Sequence, residues 1–234
     1  GVCFIGKKKC HSDCPNFKPA PLTNEIYLKH LQKENSVIGI YPLLEDNTCY
    51  FLVIDFDKDL WFESLLCVYR TAKKYSISCL MERSQSGNGG HLWIFFENAI
   101  KATKARLLGD FLLKEAMKTN KDISFDSFDR MFPNQDYLSG KGFGNCIALP
   151  LQYEPVLQSN SVFINEFQVT IKKPFHFLKS TIKVKESIID QLIQSHETSF
   201  KDYFHDFDTQ LSLYEPIQQP ITIIENSMLH ISKK

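Results

Sequence analysis

The stretch Tyr50-Phe51-Leu52-Val53-Ile54-Asp55-Phe56-Asp57 decides how this chain is read. Aromatic and β-branched residues fill it, which is the composition of a strand. Strand side chains alternate between faces, so Asp55 and Asp57 fall on one face and Ile54 and Phe56 on the other. Two carboxylates held side by side repel; at ~4 Å and an effective dielectric of ~20 the cost is about 4 kcal/mol. A divalent cation between them removes that cost, and hard carboxylate oxygens suit Mg²⁺ or Mn²⁺ bound together with substrate phosphates. The competing reading is a strand that runs out into a solvated acidic turn, continued by Lys58 and Asp59. Asp-x-Asp alone does not choose between the two, so the neighbouring segments must.

Upstream, Thr23 is a suitable N-cap for a helix from Thr23 to Glu34 with Tyr27, Leu28 and Leu31 on its apolar face. Val37 to Leu43 reads as a short strand and Glu45-Asp46-Asn47 as a turn, together a hairpin feeding the aspartate strand. Downstream, Leu60 to Tyr75 has helical periodicity and Cys79-Leu80-Met81-Glu82 that of a strand. Leu92 to Phe96 is a second strong strand, Thr103 to Met117 a helix, Ile123 to Met131 an acidic strand, and Ile182 to Gln194 a last helix. Strands and helices alternate throughout, which predicts a mixed α/β or α+β domain.

The length of 234 residues fits one large domain, or one domain with a small appendage. Apolar content of 43% and aromatic content of 13% are ample for a packed core. The formal net charge is zero, so any polyanion site must come from local clustering rather than a global basic signal. No apolar run is long enough to span a membrane and no signal peptide opens the chain, so no membrane partner is expected. Seven cysteines, an odd number scattered through strands, predict a reducing, cytoplasmic setting rather than a disulfide scaffold. The start at Gly1-Val2-Cys3, without Met, predicts a domain taken from a longer protein with further domains.

The chain divides into three segments. Residues 1–20 form a separate N-terminal piece in which Cys3, Cys10, His11 and Cys14 offer thiolate and imidazole ligands for structural Zn²⁺, against a competing reading of free thiols near a terminus. Residues 21–175 carry the catalytic motifs. Residues 176–234 form a helical and irregular C-terminal extension that docks on the core or leads toward a further domain.

Three further segments join Asp55-Phe56-Asp57. In Ser86-Gly87-Asn88-Gly89-Gly90-His91 the glycines allow backbone N–H groups close to a phosphate, and Ser86, Asn88 and His91 add polar side chains; Arg83 adds a candidate bidentate contact. An ordinary hairpin loop is the competing reading. Phe125-Asp126-Ser127-Phe128-Asp129-Arg130 is an acidic strand end. Period-two alternation puts Asp126 and Asp129 on opposite faces of a regular strand, so one reaches the metals and the other pairs with Arg130 or Arg83. Lys141-Gly142-Phe143-Gly144-Asn145 is either turn chemistry or a place where Lys141 and Asn145 hold a nucleotide or template phosphate. Three carboxylates, a glycine turn and a histidine match what two-metal nucleotidyl transfer needs.

On these motifs the chain resembles the archaeo-eukaryotic primase superfamily, whose pattern is hhhDhD/E, then sxH, then hD. Here they stand as Val53-Ile54-Asp55-Phe56-Asp57, Ser86 to His91, and Phe125-Asp126 or Phe128-Asp129. Ile40-Tyr41-Pro42-Leu43-Leu44, Glu82-Arg83-Ser84, Phe132-Pro133-Asn134-Gln135-Asp136 and Gly142-Phe143-Gly144-Asn145 bring it closest to the primase domain of TOTE conflict systems. The resemblance implies a catalytic unit like an RNA-recognition motif, packed on a second α/β unit with the active site in the cleft between them. It implies template-directed addition of NTPs or dNTPs on single-stranded DNA with a primer. Asp55, Asp57 and one of Asp126 and Asp129 would be ligands of Mg²⁺ or Mn²⁺, and His91 would contact the triphosphate. The N-terminus departs from the relatives, which carry a Cys-x2-Cys pair preceded by further cysteines where this chain has Cys10-x3-Cys14. Two other classes use parts of the same set: a metal-dependent nuclease or phosphohydrolase, for which the Ser86 to His91 loop is surplus, and a catalytically idle nucleic-acid-binding module, which has no use for acids facing phosphates.

Overall fold

The computed structural model of the protein describes residues 20–33, 37–120, 125–140, 143–196 and 230–233. In chain order these form β1 (Ala20–Pro21), α1 (Asn24–Leu31), β2 (Ile38–Ile40), β3 (Thr48–Asp57), α2 (Trp61–Lys74), β4 (Leu80–Arg83), β5 (Gly89–Lys101), α3 (Ala102–Thr119), β6 (Phe128–Phe132), β7 (Ile147–Ala148), α4 (Tyr153–Leu157), β8 (Val162–Ile164), α5 (Pro174–Ser180), α6 (Glu186–Ser195) and β9 (His230–Lys233). They build a five-stranded sheet of order β6-β3-β5-β4-β8 and a four-stranded one of order β1-β9-β2-β7. All strand pairs in both are antiparallel. Of the two mixed classes left open by the alternation, the antiparallel sheets make this α+β.

The larger sheet is covered on both faces, which is why β3 is buried without a break from Phe51 to Phe56. Leu52, Ile54 and Phe56, with Met81, Leu92 and Ile94, meet the apolar stripes of α2 (Leu65, Val68, Ala72) and α3 (Ala105, Leu108, Phe111, Leu112). The alternate residues Phe51, Val53, Leu80, Trp93 and Phe163 face the other way, toward Ile38 and Ile40 of β2, Ile147 of β7, and Leu151. Each fully buried side chain of this size contributes ~1.5–3 kcal/mol, so the two faces fix the register of the central strands firmly.

β5 is much longer than the Leu92–Phe96 that hydrophobicity predicts. Its pairing with β3 continues at one end through Phe56↔Gly90 and Asp57↔Gly89 and at the other to Thr48↔Lys101, positions that carry no apolar signal. α1 starts as its cap predicts, the Thr23 hydroxyl accepting from the Ile26 N–H at 3.3 Å. It ends at Leu31 rather than Glu34.

The expected hairpin of Val37–Leu43 with the aspartate strand does not form. β2 covers only Ile38–Ile40 and lies in the smaller sheet, between β9 and β7. Pro42 has no N–H to give to a ladder, so the buried run Tyr41-Pro42-Leu43 leaves the strand and carries the chain to the other sheet. A turn then enters β3, with Leu44 N–H donating to Thr48 O at 2.8 Å and the Asp46 carboxylate accepting from both the N–H (3.1 Å) and hydroxyl (2.6 Å) of Thr48.

Beyond residue 176, α6 lies against the helical face of the larger sheet. Val184 bridges Phe96, Ile189 and Leu192 are buried, and Lys104 pairs with Glu186 (2.6 Å) and Asp190 (2.7 Å). Phe177 of α5 packs on Phe163 with ring centroids 6.2 Å apart. Among the described residues Cys49, Cys67, Cys79 and Cys146 form no disulfide, and burial pushes Cys49 and Cys79 up to about 12, far from reactive thiolates. No helix of the described residues is long and apolar enough to cross a membrane.

Candidate metal and nucleotide site

Strand register builds one half of the site. Asp55 of β3 sits directly opposite His91 of β5, and His91 sits opposite Glu82 of β4. Cross-strand partners share a face, so the three form a row across adjacent strands, on the face that also carries Val53, Trp93 and Leu80. All are buried: Asp55 is 8% exposed, His91 7% and Glu82 1%. Oε2 of Glu82 accepts from His91 Nδ1 at 2.8 Å and from Trp93 Nε1 at 2.7 Å. The Nε2 edge of the ring therefore faces Asp55, whose Oδ1 lies 3.4 Å away. The two form an ion pair rather than a hydrogen bond, and Asp55 Oδ1 is buried with no hydrogen-bond partner. Burial by itself opposes a charge on the ring, but Glu82 and Asp55 outweigh it and push His91 up to about 10.

The other half comes from strand ends. Asp57 closes β3 opposite Gly89, where a Cβ would collide with Asp57 Oδ1 and the Phe56 carbonyl, so only glycine lets the two strands meet there. Past Asp57, Lys58 and Leu60 both adopt left-handed backbone, at φ 72° and 59°, and turn the chain sharply into α2. Local strain of this kind, ~1–2 kcal/mol per residue, gathers at functional sites.

The third acid arrives by a β-bulge. Asp55 pairs with Arg130 and Phe56 with Phe128, which leaves Asp129 as the extra residue on β6. One carboxylate oxygen from each of Asp55, Asp57 and Asp129 lies within 4.8 Å of the others. Of the segment expected as one strand from Ile123, the start lies outside the described residues; among those described, the strand begins at Phe128 and Asp126 sits in the turn before it. Period-two alternation holds for a regular strand; here the bulge sets the facing instead. Arg130, expected to pair with the acid that misses the metals, pairs with Asp129 itself, Nε to Oδ2 at 2.6 Å.

Asp57 is held above the usual carboxylate range, by burial first and then by the charges of Asp55 and Asp129, with His91 and Arg130 opposing. Arg130 is held charged chiefly by Asp129. Three converging carboxylates, all hard oxygen donors, with a buried and unpartnered oxygen on Asp55, fit a divalent cation of the Mg²⁺ or Mn²⁺ type.

The other residues predicted from sequence have the following places. Arg83 ends β4, and its guanidinium donates to the carbonyls of Ser159 (3.0 Å) and Gln168 (3.1 Å). Ser86, Gly87 and Asn88 form the loop between β4 and β5, with Gly87 in the left-handed region at φ +78°. The Gly87 N–H donates to Ser84 O at 3.1 Å, the Asn88 N–H to Ser86 Oγ at 3.1 Å, and the hydroxyls of Ser84 and Ser86 are 3.1 Å apart. Asn145 braces the chain after β6, donating to Met131 O (3.2 Å) and accepting from the Asn134 N–H (3.3 Å). Lys141 and the zinc candidates Cys3, Cys10, His11 and Cys14 lie outside the described residues.

Glu82 and Trp93 were not among the site residues predicted from sequence. The signal was present as a lone acid closing the apolar strand Cys79-Leu80-Met81-Glu82, but only the register with His91 shows what it touches. The family model for the archaeo-eukaryotic primase domain of TOTE conflict systems matches residues 1–192. No curated protein matches the chain.

Proposed function

The chain belongs to the archaeo-eukaryotic primase domain family of TOTE conflict systems, and from that membership we propose that it is a metal-dependent, template-directed nucleotidyltransferase, a primase-polymerase that adds NTPs or dNTPs to a strand on single-stranded DNA. Proteins of this superfamily are generally nucleotidyltransferases, and the acidic cluster fits their need for a divalent metal. The observation that carries the reading is the convergence of Asp55, Asp57 and Asp129 within 4.8 Å, beside a buried histidine.

The order β3-α2-β4-β5-α3-β6, with β6-β3-β5-β4 as neighbours in space, supports taking the larger sheet as the unit like an RNA-recognition motif. The smaller sheet, whose β2 and β7 pack on its far face, is then the second unit, and the acids lie on the face between them.

In this reading Asp55, Asp57 and Asp129 hold the metal. Divalent cations bound there supply activation of the attacking 3′-hydroxyl and neutralisation of the leaving pyrophosphate. His91, kept protonated by Glu82 and Asp55, donates from Nε2 to a triphosphate oxygen. Arg130, paired with Asp129 at the rim, offsets the negative charge of the cluster before substrate arrives. Single-stranded template, primer, further domains of a parent protein and an N-terminal Zn²⁺ remain parts of the same proposal.

The test is incorporation of labelled NTPs and dNTPs on homopolymeric single strands, with and without primer, under Mg²⁺ and Mn²⁺. We expect incorporation that disappears in Asp55→Ala/Asp57→Ala. Release of mononucleotides without added triphosphate, by the same acids, would instead make the protein a nuclease. Salt-sensitive binding with no reaction under either metal would make it an idle binding module.

A further inference from the structure

We propose that Glu82 is the positioning residue of this site: it holds the His91 ring so that Nε2, and not a ring carbon, faces the incoming nucleotide beside Asp55. The inference rests on the nucleotidyl-transfer reading above. Glu82 is 1% exposed, in a strand otherwise made of Leu80, Met81 and Arg83, and its cross-strand neighbour on β8 is Phe163. Among the described residues no Lys or Arg pairs with it. Burying a carboxylate in such surroundings costs several kcal/mol, and an apolar side chain of similar volume is often at least as stable. Stability therefore gives no reason for an acid here.

Orientation does. One oxygen of Glu82 accepts from both Trp93 Nε1 (2.7 Å) and His91 Nδ1 (2.8 Å). Trp93 sits in the core, 1% exposed, so its indole pins the carboxylate and stops it swinging away from the imidazole. The imidazole then has one fixed acceptor on its Nδ1 side, which sets both ring plane and edge. A carboxylate that fixes the far nitrogen of a histidine does the same work in metal sites, where its loss typically costs about 10- to 100-fold. Strand pairing makes the support rigid, because Glu82, His91 and Asp55 are direct neighbours across three strands. Glu82 meets neither metal nor nucleotide; it acts through His91.

The experiment compares Glu82→Ala, Glu82→Gln, His91→Ala and Glu82→Ala/His91→Ala in the full chain. Glu82→Ala is expected to raise KM for the triphosphate about tenfold and leave kcat within about threefold. In the His91→Ala background the same change should move KM by less than about twofold, since a residue acting only through His91 is silent once the ring is gone. Equal losses in both backgrounds overturn the proposal. Glu82→Gln keeps an oxygen for both N–H groups and should stay within about threefold of the unaltered KM; a variant as impaired as Glu82→Ala overturns ring-holding. Should Glu82→Ala not fold, Glu82→Asp takes its place, keeping the charge but withdrawing the oxygen by about one methylene, and the same KM rise is expected.

Nitrogen-15 NMR of the imidazole, without nucleotide or metal, reads the orientation independently of activity. A slowly exchanging Nδ1–H resonance should be present in the unaltered protein and in Glu82→Gln, and lost in Glu82→Ala or Glu82→Asp. A protein that incorporates no nucleotide overturns the functional reading and leaves this arm standing. A resonance that survives in Glu82→Ala overturns the positioning role itself.

Discussion

Asp55 and Asp129 contribute to the same acidic cluster from opposite kinds of structure. Asp55 lies mid-sheet, paired on both sides by β5 and β6, buried, and lined up with His91 and Glu82 by strand register. Asp129 is the bulged residue of β6, an edge strand, and is exposed and paired with its neighbour Arg130. The first is preorganised: moving Asp55 means shifting a strand whose apolar residues fill two cores. The second can adjust, because a bulge already interrupts the ladder and an exposed ion pair contributes only ~0–1 kcal/mol. A cluster built this way has one fixed wall and one with room to adjust.

If the comparison holds, single alanine substitutions should be graded. Asp55→Ala is expected to lower incorporation on the order of a thousandfold, since several kcal/mol of charge stabilisation are lost with no substitute ligand. Asp129→Ala should cost less, on the order of tens of fold, because a water can take the place of an outer ligand. Asp126→Ala should stay within about threefold, the usual range for a residue outside the chemistry. Steady-state rates on a primed template decide the order, and Asp126→Ala costing more than Asp129→Ala would show that the bulge does not choose the third ligand.

Stability should separate the two ends as well. Gly89→Ala drives a Cβ into Asp57 and the Phe56 carbonyl, a backbone contact that cannot rotate away. Overpacking of this kind costs ~1–3 kcal/mol, or a fall in Tm of about 3–10 °C for a chain of this size. Arg130→Ala removes an ion pair whose arginine side chain is 53% exposed, and its Tm should move by no more than ~2 °C. Comparable losses in the two variants would mean that the rim is as rigid as the sheet.

The same division explains what was legible in the sequence. The apolar run of Tyr50 to Phe56 gave the strand, because burial leaves its record in the sequence and a sheet covered on both faces leaves an unbroken one; period two then put Asp55 and Asp57 on a shared face. The helices α2 and α3 left theirs for the same reason. Asp129 could not be chosen over Asp126, since a bulge is a property of pairing between strands distant in sequence, and period-two counting assumes its absence. Glu82 escaped as a site residue because its meaning lies across the sheet. The supposed hairpin failed because Val37–Leu43 is apolar enough for a strand in either sheet, and Pro42 sends the chain away from the nearer one.

The smallest expected effect concerns the charge that the two ends share. Asp57 lies between them, and burial together with Asp55 and Asp129 holds it above its ordinary value of 3.8. A carboxyl whose pKa is higher folded than unfolded binds more protons in the folded state between those two values. By linkage, metal-free stability therefore falls as pH rises through that window and is recovered as pH is lowered through it. Glu115, held low chiefly by its hydrogen bond from Lys118, contributes with the opposite sign, so the isolating measurement is the Tm difference between Asp57→Asn and the unaltered protein across mildly acidic to neutral pH. In chelator the variant should gain on the unaltered protein as pH rises, by a few degrees at most for a group this open to solvent. With Mg²⁺ or Mn²⁺ present the sign should reverse, because binding to the folded state favours the ionised acids and adds stability only to the protein that keeps all three. A Tm difference that ignores both pH and metal would mean that Asp57 neither feels its neighbours nor joins them in holding a cation, and the cluster would shrink to its two unlike ends.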